Sequence, residues 1–219
     1  MTRTTLDREL QALQDELVLL GSVVSRALTE SADILWRRDL AAAHRLMEAD
    51  SAIDARQYAL ESDVLVLIAR QQPMATDLRT LAAILEIASD LERIADYAKG
   101  IAKITCLMEN ETDVPDVPQI PAMADLAQDM LRRALEAFLR HDVETARAIP
   151  LEDDQVDALF NEANQMLTEM TIRNPAKMEL ANFLTWAAHN LERSADRVTN
   201  ICERAVFTVT GDMQELDSD

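Results

Sequence analysis

An internal repeat, marked by a five-residue motif, limits the folds open to this chain. The motif Glu-Arg-x-Ala-Asp occurs at 92–96 and again at 192–196, one hundred residues apart. Three further matches keep the same order in both halves: Asp50 with Asp153, Asp54 with Asp157, and Pro73 with Pro175. The offset drifts from 103 to 102 to 100, which small deletions explain. A repeat of this length predicts two copies of one supersecondary unit.

The composition favours helices in both copies. The 219 residues include only three Gly, six Pro and eight aromatic residues, against abundant Ala, Leu, Glu and Asp. Such a chain forms helices with aliphatic cores more readily than strands. The sequence therefore predicts an all-α fold of two tandem three-helix bundles, with six helices in total.

Proline, glycine and periodicity place the predicted helices. In the first copy they run over about 6–37, 39–71 and 73–108, the third opening at Pro73. In the second copy the fourth helix runs over about 122–140. The fifth starts near Asp142 or Leu151, with a kink expected at Pro150. The sixth begins at Pro175 and ends near Gly211. The proline-rich, acidic segment between the copies has no helical period. We expect domains at 1–110 and 120–219, joined by a linker at 111–119.

Charge and hydropathy exclude several classes of partner. A net charge of −19 argues against nucleic acid and suits cations or basic protein surfaces. The apolar runs are too short to insert into a membrane, and the first residues are too polar for a signal peptide. Two cysteines without a CxxC spacing fit a reducing compartment. These features predict a cytoplasmic protein.

Acidic residues gather on matching flanks of neighbouring helices. Glu and Asp four residues apart share one helix face, as Glu92 and Asp96 do, and Glu192 and Asp196. The preceding helix of each copy carries acids along one flank, namely Asp50, Asp54 and Glu61 in the first copy, and Asp153 and Asp157 in the second. Four or five facing carboxylates repel each other unless a cation lies between them or their pKa values rise. The pattern predicts a metal site in each copy, and His189, near Asp196 on its helix, adds a possible nitrogen ligand.

Other interpretations of the acids stay open at this point. A helix surface also carries acid pairs that are simply solvated, so the chain could be a structural helical adaptor without functional metal. A carboxylate-bridged metal oxidase would need Glu-x-x-His on two helices, and the sequence has no such motif. Neither a Gly-rich phosphate loop nor a Ser-His-Asp or Cys-His arrangement is evident. We therefore expect a protein that is not an enzyme.

Three stretches of the chain resemble the PhoU family of phosphate-specific transport accessory proteins. They are Arg70-Gln-Gln-Pro-Met-Ala-Thr-Asp-Leu-Arg79, the two acidic motifs 91–96 and 191–196, and Asn200-Ile-Cys-Glu203. Ala95 and Ala195 stand where the family often has Gly, and Asn164 replaces an acid. The last departure leaves the second group of acids with one negative charge fewer.

The resemblance implies a fold, a cofactor and a set of partners. It implies two three-helix bundles, a homodimer or larger homo-oligomer, and motifs that bind iron, zinc, manganese or magnesium. It also implies a negative regulator of phosphate uptake and signalling. Such a regulator would bind the ATPase of the phosphate ABC transporter and the phosphate sensor histidine kinase. Such contacts would bring a cytoplasmic protein to the inner face of the membrane. Carried over by position, the metal ligands are Asp50, Asp54, Glu92 and Asp96, then Asp153, Asp157, Glu192 and Asp196, with Glu61 and His189 as secondary candidates.

Overall fold

The repeat folds into two sets of long helices, which a computed structural model describes over residues 3–216. Within this range the α-helices are α1 Arg3–Arg37, α2 Leu40–Gln71, α3 Thr76–Leu107, α4 Gln119–Arg140, α5 Val143–Ala148, α6 Asp153–Arg173 and α7 Met178–Thr210. No β-strand occurs between residues 3 and 216. The predicted all-α fold of two three-helix bundles is confirmed, with α5 and α6 together in the place of the fifth predicted helix.

Four helices form a central layer that both copies share. Helices α1 and α3 of the first copy pack against α4 and α7 of the second, and a single hydrophobic cluster runs through all four. Helix α2 packs on α1 and α3, while α6 packs on α4 and α7. The outer helices α2 and α6 therefore lie on opposite flanks of the molecule.

The two motif helices, α3 and α7, run antiparallel through the centre. Arg79 Nε, at the start of α3, donates to the Thr208 carbonyl oxygen at 3.3 Å, near the end of α7. Further along, Arg204 Nε lies 3.4 Å from Glu86 Oε2. Because α3 and α7 pack against each other, another side of α3 faces α2 and another side of α7 faces α6.

Helices α1 and α4 approach each other closely at a glycine. A Cβ built on Gly21 would lie 2.3 Å from Leu135 Cδ1, far inside van der Waals contact. Gly21 is buried among the core leucines. A side chain at this position would therefore require the end of the Leu135 side chain to move.

The helices after Pro73 and Pro175 begin later than predicted. Gln72 and Ala75 both have φ of 50°, so the chain turns there and α3 starts only at Thr76. Pro175 opens a 3-10 turn, Pro175–Lys177, before α7 starts at Met178. The prediction that each proline is the first residue of the α-helix is wrong by three residues in both copies.

Two other boundaries also differ from the prediction. Helix α4 starts at Gln119, three residues before the predicted 122 and inside the predicted linker. Pro150 breaks the fifth predicted helix instead of kinking it, because the 3-10 turn Ile149–Glu152 separates α5 from α6. Proline lacks the N–H that an uninterrupted α-helix would need there.

The segment between the copies is held on both sides. The Arg38 guanidinium donates to the carbonyl oxygens of Met108 and Glu111, and Lys177 pairs with Asp113. The domain boundaries at 1–110 and 120–219 remain a prediction, and their outermost positions, 1–2 and 217–219, lie outside the described residues.

Candidate functional site

The four predicted acids of the first copy lie together between α2 and α3; we call Asp50, Asp54, Glu92 and Asp96 the first acidic cluster. Asp50 on α2 is buried, at 5% exposure. Burial raises the pKa of Glu92 on α3, and the charges of Asp96, Asp54 and Asp50 raise it further. The helical spacing of the acids thus brings carboxylates of two helices into mutual repulsion, as the sequence predicted.

Lys99, on α3, places its ammonium group in the first acidic cluster. Its Nζ donates to the buried Asp50 Oδ2 and lies 3.5 Å from Asp96 Oδ1. The hydrogen bond to Asp50 raises the pKa of Lys99, which keeps the ammonium charged. A cation supplied by the chain itself therefore bridges α2 and α3 at this cluster.

The second copy repeats the arrangement between α6 and α7; we call Asp153, Asp157, Glu192 and Asp196 the second acidic cluster. Burial raises the pKa of Glu192, and the charges of Asp196 and Asp157 add to this effect. His189 opposes it, since its Nδ1 lies 2.9 Å from Glu192 Oε2. In both clusters, burial and neighbouring carboxylates therefore raise the pKa of the motif glutamate, Glu92 or Glu192.

A polar cleft of about 450 Å³ opens beside the second acidic cluster. Its lining includes Asp153, Asp157, Asp196 and Thr199. Thr199 stands at the position that matches Lys99; it is 2% exposed, and its hydroxyl has no hydrogen-bond partner among the described residues. A buried hydroxyl without a partner is unfavourable.

Arg197 also lines this cleft but is directed toward the other copy. Its Nη1 lies 3.6 Å from Asp90 Oδ1 on α3. Asp90 is nearly buried, and burial raises its pKa although Asn200 and Arg197 act in the opposite sense. The guanidinium therefore serves the α3–α7 contact at the centre of the molecule.

The secondary candidates have other neighbours. Glu61 accepts a hydrogen bond from Gln57 Nε2 on its own helix. His189 is half exposed, and its Nδ1 lies 2.9 Å from Glu192 Oε2 on the same helix. Asn164, where an acid was expected, is exposed on α6.

The two clusters differ in how well they fit a metal ion. Within residues 3–216, no three His, Cys, Asp or Glu side chains are placed as a ready-made metal site. The second acidic cluster offers carboxylate oxygens, which are the ligands that hard divalent cations prefer, and Thr199 stands where the first copy has Lys99. The first acidic cluster does not fit in this state, because Lys99 already holds the Asp50 carboxylate.

The sequence interpretation overlooked Lys99, Thr199 and Asp90. Lys99 follows Asp96 by three residues and Glu92 by seven, a spacing that puts all three on one helix flank. That spacing is a usable signal. Thr199 and Asp90 carried no comparable signal, since their importance comes from burial against other helices.

No helix in the described part of the chain is long and apolar enough to cross a membrane.

Both copies match a known domain family. The PhoU domain family matches residues 17–105 and 120–205, which together form most of the chain. Each match ends within the motif helix of its copy, α3 or α7.

Curated proteins similar to this chain share one description. A phosphate-specific transport system accessory protein PhoU homolog from Zymomonas mobilis is 32% identical over 205 residues, covering 94% of this chain and 86% of that protein. The homolog from Clostridium acetobutylicum is 32% identical over 219 residues, covering 99% of this chain and all of that protein, at 100%.

Two crystal structures have the same fold. The phosphate transport system regulatory protein PhoU from Streptococcus pneumoniae superposes with a TM-score of 0.89 at 30% identity, covering 95% of this chain and 99% of that chain. PhoU from Pseudomonas aeruginosa gives a TM-score of 0.88 at 27% identity, covering 94% of this chain and 99% of that chain.

Proposed function

The chain belongs to the PhoU family of phosphate-transport accessory proteins, and from this premise we propose that it is a cytoplasmic negative regulator of phosphate uptake and phosphate signalling. The observation that carries the proposal is the family match in both halves of the chain. The regulatory role named for the Streptococcus pneumoniae structure supports it, because the fold agrees over nearly the whole of both chains.

We propose that regulation works through protein contacts and not through catalysis. The partners are the ATPase subunit of the phosphate ABC transporter and the phosphate sensor histidine kinase. A chain with a net charge of −19 is suited to basic surfaces on its partners, and such attraction speeds encounter. Contact with these partners would bring the protein to the inner face of the membrane, and the chain would act as a homo-oligomer.

We further propose that a divalent cation binds the second acidic cluster and holds α6 against α7. The support is the clustering of Asp157, Glu192 and Asp196 and the unpartnered Thr199 hydroxyl beside the cleft. The oxygen ligands favour manganese or magnesium, while His189 shifts the preference toward iron or zinc. A cation there would reduce the repulsion that raises the pKa of Glu192 and would give partners a fixed surface.

The experiment that tests the regulatory proposal is phosphate uptake in cells. Deleting the gene should increase uptake of radiolabelled phosphate when external phosphate is plentiful, and the wild-type gene should restore repression. The double variant Glu192→Gln/Asp196→Asn should restore repression poorly although the protein accumulates normally. Unchanged uptake and unchanged sensor-kinase output in the deletion strain would contradict a regulatory role.

A further inference from the structure

We propose that Lys99 is a built-in counter-cation of the first acidic cluster, so that the chain requires a divalent cation in only one of its two halves. The inference rests on the proposed function for the second acidic cluster and assigns a different role to the first. Only the contact between α6 and α7 would then depend on a bound metal ion.

The contacts of Lys99 are those expected of a cation between two helices. The ammonium Nζ joins Asp50 of α2 to Asp96 of α3, and the Asp50 side chain is only 6% exposed. An ammonium group has three N–H donors and can serve two carboxylates at once. It thus replaces the bridging function of a metal ion with a single positive charge.

A divalent cation and this ammonium compete for the same oxygens. A hard cation needs carboxylate oxygens at about 2.0–2.6 Å, and the Asp50 oxygen is already held by Lys99. Two positive charges at such short range repel each other strongly in a half-buried site. Metal would therefore have to displace Lys99 from its buried partner before it could bind.

The second copy has no ammonium group at the equivalent position. Thr199 matches Lys99 one hundred residues further along the chain, at the same place after the motif. Its short side chain leaves the polar cleft open beside Asp157 and Asp196. Thr199 lines this cleft, and its buried hydroxyl has no hydrogen-bond partner among the described residues, an observation independent of the acids.

A reciprocal exchange of the two residues tests the inference, with Mn²⁺ as the probe. Binding is followed by the loss of the electron paramagnetic resonance signal of free Mn²⁺ for the wild type, Lys99→Thr and Thr199→Lys. Lys99→Thr should add a second set of bound Mn²⁺, and Asp50→Asn in the same chain should remove that gain. Thr199→Lys should weaken binding of the wild-type set at least tenfold.

Matched controls separate charge and folding from site chemistry. Lys103 is exposed on the next turn of α3, and Lys103→Thr removes the same charge outside the cluster. It should leave Mn²⁺ binding unchanged. Because Thr199 is buried, helix content of Thr199→Lys is checked by circular dichroism, and Asp157→Asn, at an exposed position, serves as a second variant that should weaken the same binding.

The outcomes distinguish this inference from the proposed function. If the wild type binds no Mn²⁺ but Lys99→Thr gains it, the metal part of the proposed function fails and the role of Lys99 stands. If the wild type binds Mn²⁺ at a site lost in Asp50→Asn, or if Lys99→Thr gains none, the role of Lys99 is overturned.

Discussion

Lys99 and Thr199 occupy matching positions on the two motif helices. Only the first acidic cluster therefore has a lysine beside it at this position. In the first cluster the chain supplies a cation, and Lys99 bonds to the buried Asp50. In the second, Thr199 lines a polar cleft, and its buried hydroxyl has no partner among the described residues. Two copies with the same acids therefore differ in the side chain that stands beside them.

Burial at Cys202 gives a pH-dependent contribution to stability. Burial raises the pKa of the Cys202 thiol to about 12, from 9.0 in the unfolded chain. Between these values the unfolded thiol ionises while the folded thiol stays protonated, so the unfolding free energy falls as pH rises above 9. Urea unfolding of the wild type at increasing pH should show this loss of stability beginning near pH 9 and continuing toward pH 12.

The matched variant for this prediction is Cys202→Ala. It should be less stable than the wild type at neutral pH because a buried side chain is shortened. Its stability should nevertheless fall less steeply above pH 9, since no thiol ionises on unfolding. Parallel pH profiles for the two proteins would contradict the assignment to Cys202.

The candidate site was predictable from the sequence as far as helix periodicity reaches. Spacing of four residues predicted that Glu92 and Asp96, and their copies, share a face, and both groups do meet acids of the preceding helix. The bonding of Lys99 to Asp50 depends on how α2 and α3 pack, which spacing along one helix does not specify. Thr199 likewise gains its importance only from burial in the folded chain.

At the level of single helices, the cap of α2 is a measurable element. Asp39 accepts a hydrogen bond from the Ala42 backbone N–H at 2.9 Å, which satisfies one of the free donors at the helix start. Asp39→Ala should lower the unfolding free energy by about 1 kcal/mol, measured by urea denaturation. Asp39→Asn keeps the acceptor and should change stability much less; equal losses in both variants would rule out the capping contribution.

The two helices that follow a proline start later than the local sequence preference predicts. Pro is common as the first residue of a helix, and that preference placed the starts at Pro73 and Pro175. The turn between α2 and α3 instead uses Gln72 and Ala75 with positive φ, which carries the chain three residues further before it becomes helical. The helix ends needed no such correction, because Gly211 with φ of 80° terminates α7 as predicted.

At the scale of the whole molecule, the two copies are joined by their core. Helices α3 and α7 pack along their lengths, and one hydrophobic cluster includes residues of both copies. Separating the copies would expose this apolar surface to water, which is unfavourable. The two repeats of the sequence should therefore unfold as one cooperative unit.

Each copy carries one tryptophan, which makes this expectation measurable. Trp36 lies at the end of α1 and Trp186 on α7, and both are about half exposed. Variants Trp36→Phe and Trp186→Phe each leave one probe, and their urea midpoints followed by fluorescence should coincide with each other and with circular dichroism. Each substitution can itself shift the midpoint slightly, and circular dichroism of the same variant measures that shift. A larger difference between the two fluorescence midpoints would indicate two independently folding domains.

The metal content of the protein purified without added metal shows whether the second acidic cluster holds a divalent cation. Elemental analysis by mass spectrometry compares the wild type with Glu92→Gln/Asp96→Asn and Glu192→Gln/Asp196→Asn, which are the same change in each copy. We expect a bound divalent metal in the wild type and in the first variant, and its loss in the second. A wild type without metal, or metal that persists in Glu192→Gln/Asp196→Asn and disappears in Glu92→Gln/Asp96→Asn, would contradict this expectation.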